Sequence, residues 1–227
     1  MTTADGRDRI INSLRKGLGR GDLSAARKAE LAARLDAPKS NLVPVRGDKA
    51  AVSRVALFAE MAEAVQASVA RVQNAAEVPG AIADYLADNN LPSDIVMAPD
   101  EALDRYPWTE RPLINIRRGR AEDADQVSVT AAEAAFAETG TLMLTSDETR
   151  PSTLNFLPEN HIVVLRAGQI AGAYEEGWRH LRETGGDGFM PRTVNMVTGP
   201  SRTGDIEQTI QLGAHGPRRL HIVIVEE

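Results

Sequence analysis

The chain has 227 residues, 42% hydrophobic but only 4% aromatic, and a formal net charge of -6. That is enough apolar sequence for one large α/β domain built on Ala, Val, Ile and Leu, while the few rings and the acidic balance argue against stacking on unpaired bases and against a general affinity for phosphate backbones. The sequence holds no cysteine, which excludes disulfides, thiolate-held zinc or iron–sulfur centres and a cysteine nucleophile.

Residues 1–36 read as two helices. Ile10, Ile11, Leu14 and Leu18 recur at helical spacing, and Gly19 and Gly21 interrupt them before an Ala-rich stretch from Ala25 to Leu35. This segment carries eight basic and five acidic residues, leaving -9 for the rest. The opening MTTADGRDRIINSLRKGLGRGD lacks the apolar core of a secretion signal, and no apolar run approaches the roughly 18 residues of a membrane span. A cytoplasmic location is expected. Pro38, Pro44 and Gly47 mark a linker, so the expected division is a helical appendage with linker at 1–49 and an α/β domain at 50–227.

The helical signal returns at Lys49 and runs to about Ala64, followed by a Val/Ala alternation at 65–72 that suggests a short strand. Pro79 suits the first turn of a helix over 78–89, where its missing N–H costs nothing. Ile95–Met97 and Leu113–Ile116 read as buried strands. Thr130-Ala131-Ala132-Glu133 has the spacing of a capping box and predicts a helix ending near Gly140. Strands are expected at 142–145, 162–165, 194–198 and 220–225, and a helix through Ile170, Tyr174, Trp178 and Leu181. The alternation implies a mainly parallel sheet flanked by helices, with 194–198 and 220–225 sharing it.

In such a sheet ligands bind beyond the carboxyl ends of strands. Gly199-Pro200-Ser201-Arg202-Thr203-Gly204-Asp205 follows one strand and precedes an expected helix at 205–212. Small residues allow close approach, Ser201 and Thr203 offer hydroxyls, Arg202 offers a two-pronged anion contact, and a helix N-terminus adds free N–H groups. The plainer alternative is a strand–turn–helix capped by Thr203 or Asp205. Glu138-Thr139-Gly140-Thr141 sets a carboxylate beside a glycine turn, either a base or nucleophile or a solvated glutamate. His161 and His215 are candidate proton carriers, whereas His180 and His221 read as structural. None has neighbours at metal-ligand spacing, so no protein-held metal is expected.

The run Gly199–Glu207, with Leu212-Gly213-Ala214-His215-Gly216-Pro217 and a closing aliphatic strand, resembles a signature of the lactate-utilisation protein C family. Glu138–Thr141 resembles its second signature, and Leu157-Pro158 with His161 its third, so that the likeness covers roughly residues 50–227. The resemblance implies a fold like that of sugar-phosphate isomerases, CoA transferases and formyltetrahydrofolate cyclo-ligases. It implies ligand contacts at Thr139, Gly140, Thr141, Gly199, Ser201, Arg202, Thr203, Asp205, His161 and His215, and a base or nucleophile at Glu138. It also implies a non-redox subunit of an L-lactate-oxidising system, with no cofactor in this chain and iron–sulfur clusters in partner subunits. The alternative is a stand-alone enzyme of the isomerase, CoA-transferase or cyclo-ligase type.

Overall fold

The computed structural model describes residues 3–19, 21–37, 39, 42–186, 190–204 and 211–227, and the chain divides into two compact units, Met1–Leu42 and Val43–Glu227. The first unit holds helices α1 (Thr3–Gly17) and α2 (Ala25–Asp36). Ser24 caps α2 by accepting a hydrogen bond from the Arg27 amide at 3.2 Å, which answers one of the orphan N–H groups of the first turn.

The second unit is a mixed α/β structure. In chain order it runs α3 (Ala51–Ala64), β1 (Ser68–Val72), α4 (Val78–Asp88), β2 (Asp94–Met97), α5 (Glu101–Asp104), β3 (Asn115–Arg118), β4 (Val127–Ala131), β5 (Ala134–Phe136) and β6 (Thr141–Thr145). It continues through α6 (Thr153–Phe156), β7 (Asn160–Arg166), β8 (Ile170–Ala171), α7 (Tyr174–Gly185), β9 (Val194–Thr198), β10 (Arg202–Thr203), β11 (Gln211–Leu212) and β12 (Arg219–Val225). Six strands form a sheet in the order β1-β12-β7-β4-β2-β3, and every pairing in it is parallel.

The hydrophobic pattern explains why this sheet is covered on both sides. Along β7, Ile162 and Val164 join one core with Val223 and Val225 of β12, beneath Val78, Ile82 and Leu86 of α4. The intervening Val163 and Leu165 join Ile222 and Ile224 in a second core with Phe58 of α3 and with Leu142 and Leu144 of β6. An apolar run lets both faces of a parallel strand be buried. The second face is thus covered by α3 and by a smaller sheet, order β8-β5-β6-β9. Phe136 and Met143 on the far side of that smaller sheet pack with Leu181 of α7.

Several expectations are overturned. Val194–Thr198 and Arg219–Val225 do not share a sheet: β9 pairs antiparallel with β6 in the smaller sheet, while β12 sits between β1 and β7. The capping box is not one. Thr130 and Ala131 end β4 and Ala134–Phe136 form β5, because β4 is paired with both β7 and β2 and its neighbours are buried. Two-sided pairing outweighs the fractions of a kcal/mol per residue by which Ala and Glu favour helix. The strand expected at 113–116 lies at 115–118, with Leu113 82% exposed. Within the helix expected at 205–212, residues 205–210 lie outside the described residues, and Gln211 and Leu212 are strand, paired antiparallel with Thr203 and Arg202.

Candidate functional site

Gly199 and Gly140 share one physical reason for being glycine. Both have positive φ, +68° and +66°. A Cβ on Gly199 would stand 2.3 Å from the Val65 carbonyl oxygen, and one on Gly140 would stand 2.4 Å from the Ala62 amide nitrogen. Each turn therefore folds against the C-terminal end of α3, where only a residue without Cβ fits. The glycines that suggested ligand approach are occupied by the protein's own backbone.

Beyond Gly199 the loop is stitched to the turn before β12. The Ser201 amide donates to the Pro217 carbonyl at 2.8 Å, the Gly213 amide donates to the Ser201 carbonyl at 3.0 Å, and the Ser201 hydroxyl accepts from the His215 amide at 3.4 Å. Arg202 and Thr203 then form half of the β10–β11 pair. Arg202 is consequently presented from a strand pair and not from a helix N-terminus. Asp205 lies outside the described residues.

These segments enclose a pocket of about 260 Å³ whose lining includes Asn155, His161, Thr198, Ser201, Arg202 and His215. No carboxylate lines it among the described residues, and Arg202 has no acidic partner among them. His161 is fully buried, with Nε2 2.8 Å from the Thr130 hydroxyl and Nδ1 without a hydrogen-bond partner. Burial holds the imidazole neutral, its pKa pushed down to about 3. Asn155, on α6, is 5% exposed, and its side-chain amide finds no partner among the described residues. His161 and Leu220 each stand second in their strands, so the pocket lies at the amino end of the parallel sheet. The expected carboxyl-edge location is wrong because β9, which leads into the loop, belongs to the smaller antiparallel ladder.

Glu138 does not line this pocket, nor do Thr139, Gly140 and Thr141. The Glu138 side chain is buried; its Oε1 accepts from the Tyr174 amide at 3.4 Å, and its Oε2 lacks a hydrogen-bond partner, with Arg46 Nε at 3.7 Å. The expected convergence of the two loops on one cavity is therefore not found. They meet through hydroxyls instead. Thr139 and Thr141 lie 2.8 Å apart, Tyr174 bonds both at 3.0 and 2.8 Å, and Thr141 reaches Thr198, on the pocket wall, at 2.7 Å.

The carboxyl ends of the parallel strands open on a different cavity, about 710 Å³, lined by Arg54, Arg150, Arg166, Glu133, His180 and others. Several of its charges answer one another. Arg150 Nη1 lies 2.7 Å from Glu133, His180 lies 3.6 Å from the same carboxylate, and Arg54 lies 3.0 Å from Glu176. His221 is structural, stacked on Tyr85 with ring centroids 3.9 Å apart and Nδ1 2.8 Å from the Ser68 hydroxyl. Among the described residues no group of three or more acidic or histidine side chains is arranged to hold a metal ion, and no helix is long and apolar enough to cross a membrane.

The fold and both signature turns fall inside one family match, which covers residues 55–225 and is that of the LUD domain. The chain belongs to the LUD domain family. It is 31% identical over 108 residues to a protein named lactate utilization protein C from Shouchella clausii, covering 48% of this chain and 47% of that one. It is 31% identical over 123 residues to the protein of the same name from an Exiguobacterium species, covering 54% and 53%. The matched segment thus spans about half the length of these relatives. A solved DUF162 family protein from Deinococcus radiodurans superposes with a TM-score of 0.58 at 24% identity, over 78% of this chain and 99% of that one, and shares its fold. Within the LUD domain, sequence reasoning missed Asn155 and Glu133 as cavity-lining residues. A lone Asn in Leu-Asn-Phe-Leu-Pro carries no spacing signal, and Glu133 was absorbed into an apparent helix cap.

Proposed function

We propose that this LUD-domain chain serves L-lactate utilisation as a non-redox subunit that holds a small carboxylate, while iron–sulfur partner proteins carry the oxidation of L-lactate to pyruvate. One observation carries the carboxylate: Arg202 has no acidic partner among the described residues and lines a pocket whose described lining has no acid, whereas the larger cavity brings five carboxylates, from Asp100, Glu133, Glu176, Glu183 and Glu227. An anion gains there a charge-assisted contact without first displacing a resident one. The volume of about 260 Å³ lies below the roughly 300–1,000 Å³ of drug-sized sites and suits a ligand of a few heavy atoms. The relatives' names support the lactate role, and the absence of cysteine from this chain agrees with a reading in which partner proteins carry the thiolate-held clusters. In this reading Ser201 holds the loop, His161 and His215 shape the pocket, Thr203 pairs with Gln211 beside it, and Gly199 lets the loop fold onto α3. The test is complementation: a strain lacking this chain should regain growth on L-lactate with the wild type and not with Arg202→Ala. Full growth with the variant would overturn the proposal.

A second reading rests on Glu138. A buried carboxylate with one oxygen lacking a hydrogen bond and its nearest cation at 3.7 Å is poorly satisfied, as a base or nucleophile waiting for a partner would be. It favours a stand-alone enzyme of the isomerase, CoA-transferase or cyclo-ligase type, in which Thr139, Gly140 and Thr141 position the turn. Turnover of an acyl-CoA or sugar phosphate by the pure chain, abolished in Glu138→Gln, would select it.

A further inference from the structure

We infer that a second pocket, at the amino ends of β1 and β12, binds a phosphate monoester, with Arg218 and Arg219 answering its two charges. This goes beyond the Arg202 reading and does not depend on it. The pocket has a volume of about 420 Å³, and of its described lining it shares only Pro200 and Leu220 with the Arg202 pocket. Both arginines line it and, among the described residues, no carboxylate does. Neither guanidinium has an acidic partner among those residues. Two like charges on one wall, in a chain of formal net charge -6, mark a place that attracts an anion.

Three further features prepare that wall. Arg219 is oriented: its Nη1 donates at 3.2 Å to Oδ1 of Asn160, which is buried and itself donates to the Gln126 carbonyl at 3.0 Å. A guanidinium held by a neutral amide keeps its charge for another partner. The Ser68 hydroxyl, at the first position of β1, lies 2.8 Å from His221 Nδ1, which fixes its direction. The third feature is Gln66. It takes the left-handed position that ends α3, with φ +72°; its amide donates to the Glu63 carbonyl at 2.9 Å, and the Ala67 amide donates to the Ala62 carbonyl at 3.0 Å. Glycine is the usual residue in such a turn. Here the turn instead puts a side-chain amide on the pocket wall, with no hydrogen-bond partner among the described residues.

The chemistry selects the ligand. A carboxylate carries one charge and is answered by one arginine. A phosphate monoester carries close to two, with three strong acceptor oxygens, and so matches two guanidiniums, a hydroxyl and an amide. Free phosphate would leave most of the volume empty, and Tyr85, Pro200 and Leu212 give the rest of the wall an apolar surface for an organic body. Burial raises the Tyr85 pKa while the Arg219 charge and the Ser68 hydroxyl lower it, so ring, cation and hydroxyl are neighbours.

The experiment is calorimetric titration of the full chain at about pH 8, where a phosphate monoester is almost fully dianionic. The probes are phenyl phosphate, inorganic phosphate and benzoate. Phenyl phosphate should bind at least about tenfold more tightly than either of the others. Arg218→Ala and Arg219→Ala should each weaken it by about tenfold or more, and Arg202→Ala should leave it unchanged. Should Arg219→Ala not fold, Arg219→Gln removes the charge and keeps a donor for Asn160. Gln66→Gly should weaken binding without lowering the melting temperature, which separates a ligand contact from a structural role. Failure of phenyl phosphate to bind the wild type would overturn the inference, as would binding that survives in the Arg218→Ala, Arg219→Ala double variant. Benzoate or inorganic phosphate binding as tightly as phenyl phosphate would also overturn it, and loss of binding in Arg202→Ala would place the ester in the other pocket.

Discussion

The Thr141 hydroxyl lies 2.7 Å from that of Thr198, directly across the β6–β9 ladder. Thr141 is fully buried and also receives the Tyr174 hydroxyl. The Glu138 turn and the Gly199 loop are therefore coupled by side chains although they face different spaces. Replacing Thr141 and Thr198 by Val, singly and together, should give non-additive losses of stability, with a coupling of roughly 0.5–1.5 kcal/mol. Strictly additive losses in a urea-unfolding double-mutant cycle would mean that the contact carries no energy of its own.

Gly140→Ala and Gly199→Ala should each destabilise the domain. The left-handed conformation costs an L-residue about 1–2 kcal/mol, and forcing a methyl against backbone atoms 2.4 and 2.3 Å away adds roughly 1–3 kcal/mol of overpacking. Thermal unfolding would show the drop. Gly204→Ala, where nothing among the described residues stands within 4 Å, should stay close to the wild type, and an equal loss there would contradict the packing explanation.

Acid should weaken the fold through two histidines. Burial lowers the pKa of His161 to about 3 and that of His221 to about 4, from an ordinary 6.5. Below pH 6.5 the unfolded chain takes up protons that the folded chain refuses. Their stabilising contribution is thus complete above pH 6.5 and declines toward pH 4, by at most about 1.4 kcal/mol per pH unit for each ring. His221→Phe keeps the stack on Tyr85 and should flatten the decline between pH 6.5 and 4. An unchanged slope would rule out His221 as a source.

Glu133→Gln should cost about 1–3 kcal/mol, since it removes the charge that faces Arg150 at 2.7 Å with both side chains partly buried. It should leave L-lactate affinity unaltered, because Glu133 lines the other cavity. Abolished binding in a folded Glu133→Gln protein would move the ligand to the carboxyl edge of the sheet.

The long apolar strands were legible from sequence because burial on both faces writes itself as an unbroken run, as in Ile162–Leu165 and Ile222–Val225. The split into two sheets was not. Val194–Thr198 has the same kind of composition as a strand of the parallel sheet, and only its antiparallel partner Thr141–Thr145 distinguishes it. Thr130–Glu133 misled because helix-favouring residues sat at the junction of two strands, the first of which has partners remote in sequence. Arg202, Ser201, His161 and His215 were picked out by residue type and do line one pocket. Asn155 became visible only through its place on the wall of that pocket, a property that no spacing encodes.

The placement of β12 bears on synthesis. Residues 219–225 lie between β1, formed by residues 68–72, and β7. Until residues 219–225 have been made, β1 has no neighbour in the six-stranded sheet and β7 keeps a bare edge, so the parallel sheet cannot close before them. Pairings of such long sequence separation fold slowly and leave sticky edges exposed meanwhile. Loss of residues 219–225 would split the sheet between β1 and β7.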